Sequence, residues 1–305
     1  MGTLRVKLWG TRGLVSSPGH DTAIYGGNTP CVQILHKNNL IIVDTGFGCC
    51  NLGEDLLERI LVNKEDLKIH IFYTHFHWDH IQALPFFMPI YFANTQLNIY
   101  SPEPQETTAS NLEILFDASY SPFESLFTMP AVVKVHQITK NLEIDGLKID
   151  FHAVDHGSSL GETEAHETYA YKFTNEKNES IALLTDHEAR SSLRNDSLIE
   201  FAKECNLLIH DAQYTEKEYN KYAGWGHSTS QQALENALKM GAVKTLLTHH
   251  HPFRTDVAIE KINHELRQDE RFHSLKFEFA TELVEYEVGN KKKKKKSTNK
   301  VSKVG

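Results

Sequence analysis

The sequence predicts a layered α/β fold, and three observations lead to this prediction. Short apolar runs rich in Val and Ile, such as "LIIVDTG", "IHIFYT" and "VKTLLTH", alternate with stretches of helical periodicity. This alternation favours separate layers of strands and helices over an all-α or all-β fold. The 305 residues suffice for one large core or two modest ones. Many predicted strands end on a histidine or a carboxylate, so the fold would gather polar groups at strand ends.

The predicted elements follow one another without a clear linker before about residue 289. Strands are predicted first in "LRVKLWG", "CVQILH" and "LIIVDTG", and later in "IHIFYT", "LNIYSP", "AVVKVHQI", "LKIDFHAV", "TYAYKF", "SIALLTD", "NLLIHDA", "VKTLLTH" and "LKFEFA". Helices are predicted at 51–63, 107–117, 195–204 and 256–267. A further helix is expected in "GWGHSTSQQALENALKMGA", with Ser228 as N-cap, Gln231 completing a capping box, and Gly241 as the C-terminal stop.

Charge is distributed unevenly along the chain. The net charge is -8, but the stretch 290–305 holds eight lysines and no acid. The remaining residues comprise 24 basic and 40 acidic side chains, a balance of -16. An acidic body repels long polyanions, whereas a lysine run is a solvated segment. We therefore predict one folded domain at 1–289 and a lysine-rich, disordered tail at 290–305.

Composition also indicates the compartment. The sequence contains no apolar run approaching the roughly 20 residues of a membrane span, and "MGTLRVKLWGTRG" lacks the apolar stretch of a signal peptide. The four cysteines show no CxxC spacing and are too few for a disulfide scaffold. We expect a soluble, cytoplasmic protein with reduced thiols and no membrane span. A homodimer is compatible with the sequence, which does not define the oligomeric state.

The segment "THFHWDHIQ" carries the strongest chemical signal. His75, His77, Asp79 and His80 fall within six residues, directly after the predicted strand "IHIFYT". His75 and His77 stand two apart and can point to one side, and the following turn can present Asp79 and His80 to a second ion. Imidazole and carboxylate suit Zn²⁺, Mn²⁺ or Fe²⁺, whereas Ca²⁺ and Mg²⁺ require more oxygen ligands.

"HFHWDH" resembles the HxHxDH signature of the metallo-β-lactamase superfamily. The resemblance covers the chain to about residue 289 and implies an αββα sandwich with two metal ions at one edge of the facing sheets. The metals it implies are two divalent ions, zinc before manganese or iron. Asp44 in "LIIVDTGFG" matches the acidic residue that supports the metal loop in this superfamily.

The resemblance also implies a set of metal ligands. It assigns the bridging aspartate of "SIALLTDHE" to Asp186 and the last histidine ligand of "LTHHHP" to His249. The remaining ligand has two candidates, His156 and His166, and we favour His156 because the strand "GLKIDFHAV" is long enough to deliver it at its tip. The implied first site comprises His75, His77, His156 and Asp186, and the second comprises Asp79, His80, Asp186 and His249. Within the triplet of histidines, His250 is a candidate to face the pocket and His251 is expected in a turn.

Two further segments resemble the phosphodiesterase branch, which includes tRNase Z and the cyclic-phosphate phosphodiesterase. "LLIHDAQY" and "GWGHSTS" carry over Asp211 and His227 as a proton-handling pair. The resemblance implies hydrolysis of a small nucleotide, a cyclic phosphate or an RNA end by a metal-bridged hydroxide. Asp79 would orient the water, and His227, held by Asp211, would protonate the departing oxygen.

Two alternatives remain open from the sequence. The same metals could hydrolyse a carboxylic ester, lactone or thioester. A non-hydrolytic diiron protein that binds or senses oxygen could also use this fold, because all the implied ligands are histidines and carboxylates.

Overall fold

Two seven-stranded sheets lie face to face in the computed structural model, which describes residues 3–119, 121, 123–157, 167–190 and 192–289. Helices cover the outer face of each sheet, so the architecture is the αββα sandwich that the resemblance implied. The other candidate ligand, His166, and the predicted lysine-rich tail at 290–305 lie outside the described residues. The domain boundary near residue 289 therefore stays a prediction.

The first sheet combines an antiparallel half with a parallel half. Its strands in spatial order are β14 (Glu285–Val288), β1 (Leu4–Gly10), β2 (Cys31–His36), β3 (Asn39–Val43), β4 (Leu67–Phe72), β5 (Thr95–Ser101) and β6 (Val132–Gln137). Strands β3 to β6 run parallel, and the other neighbours are antiparallel.

The second sheet repeats this plan. Its strands in spatial order are β13 (Phe277–Phe279), β12 (Thr245–Thr248), β11 (Leu207–Asp211), β10 (Ser180–Leu184), β9 (Thr168–Thr174), β8 (Leu147–Val154) and β7 (Leu142–Ile144). Strands β10 to β13 run parallel, whereas neighbours among β7 to β10 are antiparallel.

The helices connect the parallel strands and cover the sheets. They are α1 (Gly48–Leu57), which continues into a π-helical turn at Glu58–Val62, α2 (Trp78–Ile81), α3 (Gln105–Glu113), α4 (Leu193–Phe201), α5 (Glu216–Tyr222), α6 (Ser230–Met240) and α7 (Asp256–Gln268). Helices α1 and α3 pack on the first sheet, and α4, α6 and α7 pack on the second.

Strands that are buried on both faces contribute side chains to two hydrophobic cores. In β3, Leu40 and Ile42 pack toward α1, while Ile41 and Val43 pack between the two sheets. This explains why "LIIV" is a continuous apolar run and does not alternate with polar residues. The parallel strands of both sheets are therefore held by packing on both faces. The loops that follow their carboxyl ends start from fixed positions.

The start of α6 differs by one residue from the prediction. Thr229 is the N-cap, and it forms the capping box with Gln232, whereas Ser228 and Gln231 were predicted. Ser228 is engaged in tertiary contacts, since its N–H donates to Asp211 and its hydroxyl donates to the carbonyl of His187. The predicted C-terminal stop is confirmed, because Gly241 ends the helix with a left-handed φ of 67°.

Within the part of the chain that is described, no helix is both long and apolar enough to cross a lipid bilayer.

The capping box gives a test of the fold. We expect Thr229→Ala to lower the free energy of unfolding by about 1 kcal/mol, because the N–H of Gln232 loses its acceptor. Thr229→Ser keeps a hydroxyl at this position and should stay close to the unsubstituted protein. Urea denaturation followed by far-UV circular dichroism measures the difference, and equal stability of the two variants would contradict the assigned cap.

Candidate metal centre

The histidine-rich loop joins β4 to α2 at the edge of the first sheet. His75, Asp79 and His80 are buried, whereas His77 is exposed. Asp79 and His80 lie in the single turn of α2, so consecutive residues project from a short rigid helix. The loop therefore divides its side chains between two directions, as the spacing of the motif predicted.

One group of side chains forms around His75. The ligand atoms of His75, His77, His156 and Asp186 all lie within 4.8 Å of one another. Nε2 of His156 is 3.0 Å from Nδ1 of His77, and Oδ2 of Asp186 is 3.6 Å from Nε2 of His75 and from Nε2 of His156. The four residues predicted for the first metal are thus brought together.

A second group forms beside it. The ligand atoms of Asp79, His80 and His249 lie within 4.8 Å of one another. Oδ1 of Asp186 is 3.1 Å from Nε2 of His80 and 3.2 Å from Nε2 of His249. Asp186 therefore directs one oxygen toward each group, which is the geometry that a bridging carboxylate requires.

Four imidazoles of the two groups have their Nδ1 occupied by a protein partner. The partners are acceptors, so Nδ1 carries the proton and Nε2 keeps its lone pair. The pairs are His80 with Asp44 at 2.8 Å, His249 with Gln213 Oε1 at 2.9 Å, His156 with the Gly226 carbonyl at 2.9 Å, and His75 with Thr74 Oγ1 at 3.1 Å.

This arrangement fits a cation. The Nε2 atoms of His75, His80 and His249 are buried, and no described residue completes a hydrogen bond to them. They face the carboxylates of Asp79 and Asp186, so lone pairs and negative charges converge at this point. Leaving such groups uncompensated is costly. Imidazole nitrogen and carboxylate oxygen are the donors preferred by Zn²⁺, Mn²⁺ and Fe²⁺.

Asp44 supports the histidine-rich loop by hydrogen bonds, as expected. Its carboxylate accepts hydrogen bonds from His80 Nδ1, from the backbone N–H of Thr74 at 2.9 Å, and from the Thr74 hydroxyl at 2.8 Å. Because Thr74 in turn contacts His75, this one buried carboxylate orients residues of both groups.

Three residues at strand ends share an unusual backbone. Asp44 after β3, Asp186 after β10 and His249 after β12 have φ values of 62°, 48° and 59°. Positive φ is uncommon for residues other than glycine and tends to be retained at functional sites. The positive φ ends each parallel strand at this residue. The side chain of the residue then points into the centre.

The loop after β1 also contributes, which the sequence analysis missed. The backbone N–H of Leu14 donates to Oδ2 of Asp79 at 2.7 Å. Gly13 lies so close to His249 that a Cβ there would fall 2.2 Å from the ring. These contacts join segments far apart in the chain, and no local pattern marks them.

Asp211 and His227 form a buried pair beside the second group. Nδ1 of His227 donates to Oδ2 of Asp211 at 2.7 Å, and the His227 ring stacks on His249 with centroids 4.9 Å apart. Burial lowers the pKa of His227, but the Asp211 carboxylate and its hydrogen bond outweigh burial and, with Asp186 and Asp79, raise it to about 9. The pair is positioned to hold a proton next to the convergent ligands.

Glu188 is a second residue that sequence reasoning missed. It is 1% exposed, and both of its oxygens accept hydrogen bonds from the loop before His227. Oε1 accepts from the N–H of Gly224 at 2.8 Å and from the Tyr219 hydroxyl, and Oε2 accepts from the N–H of Gly226 at 3.2 Å. Since Gly226 holds His156, Glu188 fixes the loop that reaches the first group.

The histidine triplet separates into three environments. His249 joins the second group, as predicted. The expectation that His250 faces the pocket is wrong, because its Nε2 donates to the Ala280 carbonyl at 2.8 Å and its ring packs against Tyr25 and Phe279. Tyr25 and Phe279 are members of a buried apolar cluster, so His250 belongs to the core. His251 lies beyond the strand and begins a turn, since the N–H of Arg254 donates to its carbonyl.

Asp44 gives a test of the supporting contacts. Asp44→Ala leaves His80 Nδ1 without its acceptor, so we expect metal affinity to fall by about 10- to 100-fold. Asp44→Asn keeps one carbonyl oxygen and should give an intermediate loss. Competition with a chromophoric chelator measures both, and an unchanged affinity in Asp44→Ala would show that Asp44 does not orient the ligands.

Comparison with known proteins places this centre in a family. The sequence model of the Beta-lactamase superfamily domain matches residues 39–250. Ribonuclease Z of Picrophilus torridus is 23% identical over 288 residues, which cover 81% of this chain and 86% of the relative.

Solved structures share the fold. The metallo-beta-lactamase fold protein YhfI from Bacillus subtilis covers 94% of this chain and 100% of its own, with a TM-score of 0.66 and 18% identity. A diphosphatase of the PhnP family covers 93% of this chain and 97% of its own, with a TM-score of 0.63 and 22% identity. The resemblance to the superfamily and to its phosphodiesterase branch is confirmed. Because the matched family spans more than half of the sequence, the chain belongs to the metallo-β-lactamase superfamily and is a metal-dependent hydrolase.

Proposed function

We propose that this hydrolase is a dinuclear phosphodiesterase acting on a small nucleotide, a cyclic phosphate or an RNA end. The observation that carries the proposal is the buried pair of His227 and Asp211, whose His227 ring stacks on His249 at the edge of the ligand groups. Hydrolysis of a phosphodiester breaks one P–O bond, and the ester oxygen departs as an alkoxide that needs a proton. This pair can supply one.

The ligand assignment from the sequence is kept in the proposal. His75, His77, His156 and Asp186 would hold the first ion, and Asp79, His80, Asp186 and His249 the second. Support comes from the two groups of convergent atoms and from the division of the Asp186 oxygens between them. Two divalent ions bound there would supply Lewis acidity and lower the pKa of a coordinated water. Zinc is the ion proposed for both sites.

Asp79 and His227 have separate roles in the proposal. Oδ2 of Asp79 is held by the backbone N–H of Leu14, which leaves the carboxylate fixed and able to orient a water molecule. His227 directs Nδ1 to Asp211, so its Nε2 is the atom that can protonate the departing oxygen. Asp211 also accepts from the backbone N–H of Ser228 at 3.0 Å, which fixes the carboxylate while it holds His227.

Substrate size follows from charge. The residues before the tail carry a balance of -16, which disfavours a long polyanion. The Picrophilus torridus relative is named ribonuclease Z, and a structural neighbour is named a diphosphatase. We therefore propose a small phosphodiester or a short RNA end as the substrate.

The proton donor can be tested by the choice of leaving group. We expect His227→Ala to lower kcat roughly 100- to 10,000-fold for a dinucleotide, whose alkoxide needs protonation. The loss should be much smaller for bis-p-nitrophenyl phosphate, because p-nitrophenolate departs without a proton. Metal content is measured in parallel as the control. Equal losses for both substrates, with metal retained, would contradict the role of His227 as the acid.

The metal count has its own test. After removal of metal by a chelator, activity should return in proportion to added Zn²⁺ and reach its plateau at two equivalents per chain. Metal analysis and visible absorption of the purified protein accompany the titration. A plateau at one equivalent would contradict the dinuclear proposal, and a coloured diiron site without phosphodiesterase activity would favour the oxygen-binding alternative.

A further inference from the structure

We propose that Trp225 and Tyr222 form a binding site for the planar base of the leaving group, so that the enzyme selects nucleotide diesters over simple alkyl diesters. This inference rests on the proposed phosphodiesterase function. It assigns a specificity role to residues outside the metal ligands and outside the pair of His227 and Asp211.

A continuous run of aromatic rings leads from His227 to the surface. The ring of Tyr214 meets His227 edge-on, with centroids 5.9 Å apart. Tyr222 stacks on Tyr214 at 4.8 Å with an interplanar angle of 7°, and Trp225 meets Tyr222 edge-on at 5.5 Å. The outer end of this run is thus three rings away from the group that would protonate the leaving oxygen.

Exposure increases along this run. Tyr214 is 2% exposed, Tyr222 is partly buried, and Trp225 is 50% exposed. Single exposed apolar side chains are common on protein surfaces. Trp225 differs from such residues because its neighbours on both sides are buried and fixed, so that the indole is presented from a rigid loop.

Four hydrogen bonds fix this loop. The N–H of Trp225 donates to the Tyr222 carbonyl, and Glu188 holds the N–H groups of Gly224 and Gly226. The Gly226 carbonyl accepts from His156 Nδ1, which connects the loop to the first ligand group. Gly226 has a φ of 87°, and a Cβ there would lie 2.2 Å from His156 Nδ1, so only glycine allows this approach.

The chemistry of this surface favours a base. A rigid indole offers a flat apolar face, and stacking of a base on an aromatic side chain is tolerant of base identity. A base attached to the leaving oxygen would extend from His227 in the direction of Tyr222 and Trp225. Because the backbone of the loop that carries Trp225 is held before binding, little loop entropy is lost when the base stacks.

Two substrates that differ only in the leaving group test the inference. For a dinucleoside monophosphate, we expect Trp225→Ala to lower kcat/KM roughly 5- to 100-fold, mainly through KM. For the methyl ester of the same nucleotide, which lacks the second base, the change should be less than about twofold. Trp225→Phe should restore most of the loss, since it keeps an aromatic face. Val62→Ala, at an exposed apolar position in the π-helical turn after α1, serves as the matched control.

Fluorescence gives a readout that does not depend on turnover. The chain has three tryptophans, of which Trp9 is 3% exposed and Trp78 is 60% exposed. In a Trp78→Phe background, a nucleoside monophosphate should quench the emission of Trp225, and ribose phosphate should not. The quenching should disappear in the Trp78→Phe, Trp225→Phe double variant.

The outcomes separate the two proposals. Absence of hydrolysis of both diesters by the unsubstituted enzyme would overturn the phosphodiesterase function. Hydrolysis of both diesters with equal effects of Trp225→Ala, and without quenching by the nucleoside monophosphate, would overturn only the base-binding site.

Discussion

The lone pairs of histidine nitrogens and the negative charges of carboxylates converge at one edge of the sandwich. The surrounding structure holds these groups in place. Asp186 is buried between two groups of histidines and directs a different oxygen toward each. Leaving such a set of buried acceptors uncompensated is costly, and bound cations would offset this cost. The fold pays for the arrangement with backbone strain, since three of the strand-end residues, Asp44, Asp186 and His249, adopt positive φ.

The histidines at this edge depend on partners behind them. Asp44, Gln213 and the Gly226 carbonyl take the Nδ1 protons, so the orientation of the Nε2 lone pairs is set before any ion binds. The loop held by Glu188 connects this supporting layer to the aromatic run that ends at Trp225. Ligand geometry and the proposed base selection therefore share one rigid loop.

Much of this could be predicted from the sequence, because it is encoded locally. Continuous Val and Ile runs identify the buried parallel strands, and the spacing in "HFHWDH" identifies the metal loop. The capping error at Ser228 has a physical cause, since two adjacent residues can both cap a helix. The choice between them is made by Asp211 and His187, which lie far away in sequence.

Contacts across the fold could not be predicted. The bond from Leu14 to Asp79 spans 65 positions, and the clamp from Glu188 to Gly224 spans 36. The residue types at these positions do not indicate which residue each of them bonds to. The prediction that His250 faces the pocket was wrong for the same reason, because its acceptor, the Ala280 carbonyl, lies after a later strand.

Anomalous diffraction from crystals of the zinc-loaded protein tests the central claim most directly. We predict two separate peaks, one among His75, His77 and His156 and the other among Asp79, His80 and His249, with one oxygen of Asp186 facing each peak. A single peak, or two peaks with both oxygens of Asp186 on one of them, would contradict the account.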